Sequence, residues 1–342
     1  MTEPAYIIVG AVGSPYSRKL RAVMQYRRIP YRWVHQGWPE SQELPKPPVQ
    51  LLPRLVTTQA DGSRAARIDT TPLIRDLERE SVGRSVIPPD PVVAFLDFLL
   101  EDYADEWLTK AMFHYRWAHG PDIAKAAAIL PRWYATNRPE HEARSMGEVF
   151  SKRQIDRLSV VGSNETTAPV IERSYVRLLR LLDTHLGESR FLMGGRPGAS
   201  DFGVFGQLTQ LAGFDPTSAA VALSTAPRVV AWIDVVEDLS GLETREEDWI
   251  NRDAIPETLK ALLAEVGRVY APFLLANAAA LERGAARVEG RIDGKPWVQK
   301  PFPYQGKCLA WLREAHAGLT ADDRGAVDAV LAGTGCEALF CR

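Results

Sequence analysis

Ser14 is followed at once by Pro15, and the pair separates an apolar run, Tyr6 to Gly10, from a basic amphipathic stretch over residues 15–28. Proline suits the first helical position, where its missing N–H is not needed. Ser14 then stands as the N-cap, its oxygen placed to accept from a backbone N–H one turn in. Capping and binding are both open to this hydroxyl. A helix N-terminus favours anions by about 0.3–1 kcal/mol, and a thiol of pKa about 8.5 needs such help to be a thiolate at neutral pH. Ser17 lies three residues on; with serine at both positions, thiol-disulfide exchange is excluded here. Tyr6 and Tyr16 are rival hydroxyls, Tyr6 at the start of the strand and Tyr16 in the first helical turn, where it reads as a lid or packing residue.

Two further pairs carry chemistry. Leu52-Pro53 precedes an apolar segment, and taken alone an X–Pro bond is expected to be trans. Asp69-Thr70 stands ahead of Leu73, Ile74 and Leu77, so Thr70 either caps that helix or offers a hydroxyl at an anion-binding helix start. Asp97, Glu101, Asp102, Asp105 and Glu106 crowd one stretch with no histidine at close spacing; a solvated or interdomain helix face accounts for them. The three cysteines, Cys308, Cys336 and Cys341, form no CxxC pair, and Cys and His show no metal-ligand spacing, so no metal is expected. An odd cysteine count without a secretory signal indicates reduced thiols in a cytoplasm.

These residues need elements to hold them. Tyr6–Gly10 reads as a buried strand, residues 15–28 as a helix stopped by Ile29-Pro30, and Arg32 to His35 as a second strand. A proline-rich connection, Pro39 to Pro48, is excluded from a sheet. Arg54 to Thr58 and Ala65 to Ile68 flank Asp61-Gly62, a hairpin signal. The order is strand, helix, strand, irregular, strand, strand, helix. After "ESVGRSVIPPDPVV", a linker by its prolines, helical spacing takes over. Phe95 to Trp117 reads as one long helix, with Trp107, Phe113, Tyr115 and Trp117 making an aromatic cluster that is either core or the wall of an apolar pocket. Ile171 to Leu186 is an amphipathic helix closed by Gly187, and a last helix runs from Asp322 to Leu331. A net charge of −2, with 46% hydrophobic and 25% charged residues, describes a soluble globular chain and argues against a nucleic-acid footprint or a polybasic membrane patch.

The stretch "SPYSRKLRAV" resembles the first-helix signature of Ser-type glutathione transferases, tau and theta classes among them. "LLPRLV" is similar to the strand that carries their cis-proline, "DGSRAARIDTTPLIRDLE" to their hairpin and following helix, and "FLMGGRPGASDFGVFGQL" to a segment of their helical domain. The resemblance implies an α/β plus all-α fold, a thioredoxin-like domain over 1–83 and an all-helical substrate domain over 92–255; residues 256–342 extend beyond such a domain and, unusually hydrophobic for a tail, read as a helical extension packed on it and narrowing access to the site. It implies a transferase that holds the glutathione thiolate at Ser14 and adds it to a small apolar electrophile. Leu52, across a cis bond to Pro53, would pair with the tripeptide backbone. Asp69 and Thr70 would hold its γ-glutamyl end, and Gln50 or Lys46 its glycyl end. Tyr16, Trp107 and Phe113 are the candidate pocket residues. Asp201 matches the aspartate of the family's capping box, with Gly198 in place of its serine. A homodimer is implied. The alternative is a transferase-like binding or scaffold protein without turnover.

Overall fold

The computed structural model describes residues 5–59 and 61–341. Its sheet has strand order β2-β1-β3-β4, with β1 (Tyr6–Gly10) parallel to β2 (Tyr31–His35) and antiparallel to β3 (Arg54–Thr58), which pairs antiparallel with β4 (Arg64–Arg67). Alternation along β1 separates two apolar layers. Ile8 packs with Leu20 and Met24 of α1 (Pro15–Tyr26) and with Leu73 and Leu77 further along, whereas Ile7 and Val9 face Val34, Leu44 and Val56. A short helix, α2 (Pro39–Glu43), starts on its proline inside the connection expected to be irregular. α3 (Thr70–Glu80) completes this thioredoxin-like unit.

The helical part begins with α4 (Pro91–Tyr103), capped by Asp90, whose carboxylate accepts from the N–H groups of Val92 and Val93. The expected single helix from Phe95 to Trp117 is broken by a π-helical turn, Ala104–Leu108, before α5 (Thr109–Ala118) resumes. Then follow α6 (Gly120–Tyr134), α7 (Glu140–Ile155), α8 (Ala168–Glu188), α9 (Ala199–Leu211), α10 (Pro216–Thr225) and α11 (Pro227–Val236). Gly187 does not end α8: the helix runs through it, and the Ser189 N–H still reaches the His185 carbonyl at 2.9 Å. In α9 the carboxylate of Asp201 accepts from the Gly198 N–H at 2.9 Å and from the Leu192 N–H at 2.9 Å, so the capping aspartate acts from one side only. Among the described residues no single helix is long and apolar enough to cross a membrane.

Residues beyond 255 fold as α12 (Glu257–Glu265), a second π turn at Val266–Tyr270, α13 (Ala271–Glu282), a hairpin of β5 (Val288–Ile292) and β6 (Lys295–Gln299), α14 (Pro303–Ala317) and α15 (Ala321–Leu331). The extension expected to be helical thus contains a β-hairpin, turned by Asp293-Gly294 with φ of 50° and 69°, the two left-handed residues such a turn needs. Its apolar side chains join one continuous core: Leu262, Val266, Phe273, Trp297 and Leu312 share a cluster with Phe95, Leu99, Trp107, Leu178 and Phe205.

Candidate functional site

The strand register brings the distant pairs together. Val9 is opposite Arg54, and Leu55 is opposite Arg67. Continuing the first pairing by one residue and the second by two sets Pro53 level with Gly10 on one side and with Asp69 on the other. The loop to Ser14, the Leu52–Pro53 bond and the start of α3 therefore meet at one end of the sheet. The Leu52–Pro53 peptide is cis. Ser14 is half-buried and holds extended backbone angles, φ −100° and ψ 117°, as an N-cap does. Its Oγ accepts from the Ser17 N–H at 3.2 Å, and among the described residues its own proton has no acceptor. Ser17 is buried, its Oγ accepting from the Ala11 N–H at 3.2 Å, which fixes the loop. Asp69 has φ 77°, a conformation that costs a non-glycine residue about 1–3 kcal/mol and tends to persist where a site needs it. Its side chain makes no capping bond to α3; Oδ2 instead accepts from the Tyr304 hydroxyl at 2.8 Å. The extension thus reaches the sheet end directly. Thr70 is buried beside it.

A buried polar seam joins the two units behind this end. Lys19 donates to Glu101 Oε1 at 2.6 Å and to Asp105 Oδ2 at 2.5 Å, and the Thr71 hydroxyl donates to Glu101 at 3.1 Å. Burial works against the Lys19 charge, but Asp105 and Glu101 outweigh it and hold its pKa above the ordinary lysine value. The acidic stretch is an interdomain face and not a solvated one, all five carboxylates being buried. Burial, with Asp102 nearby, pushes the Glu106 carboxyl up to about 8. Burial does the same for Asp97, to about 8, and for Asp102, to about 7. A π turn leaves a carbonyl without its helical partner. Here the Asp105 carbonyl accepts from the Tyr16 hydroxyl at 2.7 Å, and the Glu106 side chain and carbonyl receive Gln305 at 3.0 and 3.4 Å.

Two of the expected pocket residues are elsewhere. Tyr16 points its hydroxyl into that seam, where burial and the Glu106 and Asp105 charges hold it well above its ordinary pKa. It is an interdomain strut and not a free hydroxyl. Trp107 is 1% exposed, packs on Trp297 and Phe273 at 5.3 and 6.0 Å, and donates Nε1–H to Ser174 Oγ at 3.0 Å. It is core, because the extension covers the face on which it lies. Gln50 and Lys46 are exposed, and each bonds within its own loop, to the Pro47 carbonyl at 2.8 Å and to Gln42 at 3.1 Å. Phe113 is half-buried in a cluster with Trp117, Leu130, Trp133 and Phe214.

That cluster touches the site through residues the sequence did not single out. A Cβ on Gly13 would lie 2.7 Å from Leu130 and 3.0 Å from Trp133, so the end of α6 presses directly on the loop before Ser14. Arg116, buried and paired with Asp215 at 2.8 Å, donates to the Gly13 carbonyl at 3.1 Å. Gln210 donates to the Val12 carbonyl at 3.3 Å. A cavity of about 370 Å³ opens beside the loop, with Val12, Arg18, Trp133, Gln210, Phe214 and Glu237 in its walls. No sequence signal marks Leu130, Trp133 or Gln210, since each looks like an ordinary position on an amphipathic helix.

Residues 8–85 match the model of the glutathione S-transferase N-terminal domain, and residues 154–234 match that of the glutathione S-transferase C-terminal domain. No curated protein matches the chain. Among solved structures, a glutathione S-transferase from Rhodospirillum rubrum F11 is 18% identical with a TM-score of 0.43, over 73% of this chain and 98% of that one. The tau class transferase of mango, Mangifera indica, is 17% identical with a TM-score of 0.40, over 75% and 95%. A glutathione transferase family member from Pseudomonas fluorescens Pf-5, solved with two glutathione molecules bound, is 15% identical with a TM-score of 0.37, over 69% and 93%.

Proposed function

Since the chain belongs to the glutathione S-transferase superfamily and carries both of its domains, we propose that it binds glutathione at the sheet end and transfers its sulfur to a small apolar electrophile. The carrying observation is the Ser14 hydroxyl, N-cap of α1 with its proton uncommitted. It donates to the sulfur, and the helix N-terminus adds its positive potential. The thiol proton leaves to solvent. The thiolate electron pair then forms the new S–C bond, and the electrophile either expels a leaving group or takes up a proton. Leu52 offers backbone N–H and C=O groups to the tripeptide as an added strand would. Asp69 and Thr70 receive the γ-glutamyl end, Gln50 and Lys46 lie on the loop nearest the glycyl end, and Phe113 with Leu130 and Trp133 supplies apolar surface for the electrophile.

The test is sequential: calorimetric affinity for glutathione first, then turnover of a chloronitroarene. Full turnover by Ser14→Ala removes Ser14 from the reaction. Binding without turnover favours the second reading, a non-catalytic transferase-like binding protein, which the engagement of Asp69 by Tyr304 supports. A reducing cytoplasm, fitted by three unpaired thiols, and a homodimer, checked by sedimentation, belong to the same proposal.

A further inference from the structure

Away from the sheet end, three side chains from two helices and a helix junction point at one spot. His114 is on α5, His119 is the residue between α5 and α6, and Glu172 is on α8. Glu172 Oε1 lies 3.1 Å from His114 Nε2 and 3.3 Å from His119 Nε2. All three potential ligand atoms fall within 4.8 Å of one another. A tetrahedral zinc ion with bonds of about 2.0–2.1 Å sets neighbouring ligand atoms about 3.3 Å apart, so both nitrogen–oxygen separations fit two edges of that figure.

Two further observations favour a cation over a simple hydrogen-bonded triad. First, His119 Nε2 is buried and finds no hydrogen-bond partner, although it faces the Glu172 oxygen. A buried orphaned nitrogen is costly unless something occupies its lone pair. Second, both rings are held in place from behind. His114 Nδ1 is 2.8 Å from Ser163 Oγ, the outer-shell bond that orients a ligating imidazole. The His119 ring stacks on Tyr115, centroids 5.2 Å apart and planes 19° apart, and Tyr115 in turn packs edge-on against Tyr175 of α8 at 5.4 Å.

We propose that His114, His119 and Glu172 bind a divalent cation of the zinc class. Two imidazoles and one carboxylate make three protein ligands. Glu172 is 40% exposed, so the fourth position faces water, as in sites that keep an open coordination place. No metal is expected from the sequence. His114 and His119 are five residues apart across a helix junction, and Glu172 follows 53 residues after His119, a spacing outside the common zinc patterns. The ion would tie α5, the start of α6 and α8 together.

The experiment is zinc chloride titration of the full chain, first treated with a chelator and dialysed, followed by calorimetry and by the visible spectrum on substituting cobalt(II). We expect one saturable equivalent, a tetrahedral cobalt spectrum and a higher melting temperature with zinc. His119→Ala and Glu172→Gln, both partly exposed positions that leave the fold intact by circular dichroism, each lower zinc affinity tenfold or more. Ser163→Ala lowers it about tenfold, the effect of losing an outer-shell partner. Cys341→Ser, which removes the exposed thiol, changes nothing. The proposal is overturned if no equivalent binds saturably, if His119→Ala and Glu172→Gln bind zinc as the unaltered chain does, or if binding follows Cys341.

Discussion

Ser14 caps α1 and is proposed to donate to a bound sulfur, and the two roles separate by substitution. As a cap it accepts from Ser17; as a donor it would serve the bound sulfur. Ser14→Ala loses both, and we expect about 1 kcal/mol off stability together with roughly a 10²-fold fall in kcat/KM, the scale of removing one donor to an anion. Ser14→Asp keeps the cap acceptor but faces the thiolate with a negative charge, so its melting temperature holds while turnover falls at least as far. Steady-state rates and thermal melts on the two variants decide between capping and catalysis. Trp107 gives the opposite pattern. Wedged between Ser174, Phe273 and Trp297, Trp107→Ala should cost about 3–5 kcal/mol without moving KM for glutathione. Ser14 was legible because Ser-Pro before an amphipathic run is a local signal. The core position of Trp107 was not, because its partners arrive 166 and 190 residues later in the chain, and periodicity marks an apolar face without saying what covers it.

At the level of elements, the acidic face of α4 and its π turn hold carboxyls whose folded pKa values lie at about 7–8, above the unfolded range near 4. Between those limits the native state keeps protons the unfolded chain has released. Stability is therefore fullest at the acidic end and declines as pH rises through about 7–8. Thermal melts from about pH 6 to pH 8.5 should show a falling midpoint. Glu106→Gln, which still meets Gln305, should flatten that fall and gain on the order of 1 kcal/mol at the alkaline end. The contact of α14 with α3 is tested by Tyr304→Phe. Freeing the Asp69 carboxylate from that hydrogen bond should lower KM for glutathione about 2–10-fold and leave kcat unchanged. The strands and α1 were legible from alternation and from proline stops. The β5–β6 hairpin carries in Asp293-Gly294 the same signal that marked Asp61-Gly62, but it stands between two stretches of helical spacing that mask it. The π turns were not legible, since a one-residue widening leaves the apolar spacing nearly intact.

For the whole molecule, the helical units and the extension share one apolar core. A chain ending at residue 255 exposes the partners of Leu262, Val266, Phe273 and Trp297, and we expect it to lose its cooperative melt and its solubility, read by calorimetry and by the soluble fraction on expression. The general architecture was legible from the order of elements in the first 80 residues. The coverage of α4 was not, since it depends on which surfaces meet and not on any local pattern. The hydrogen bond from Tyr304 to Asp69 spans 235 residues, and this separation orders events during synthesis. Ribosomes release a chain from its N-terminus, and early units fold first. The β-sheet and its serine-capped helix can thus form long before Tyr304 emerges. A nascent chain would hold a sheet end with Asp69 still unengaged, and that end would reach its finished form only as the hairpin and the helix behind it leave the exit tunnel.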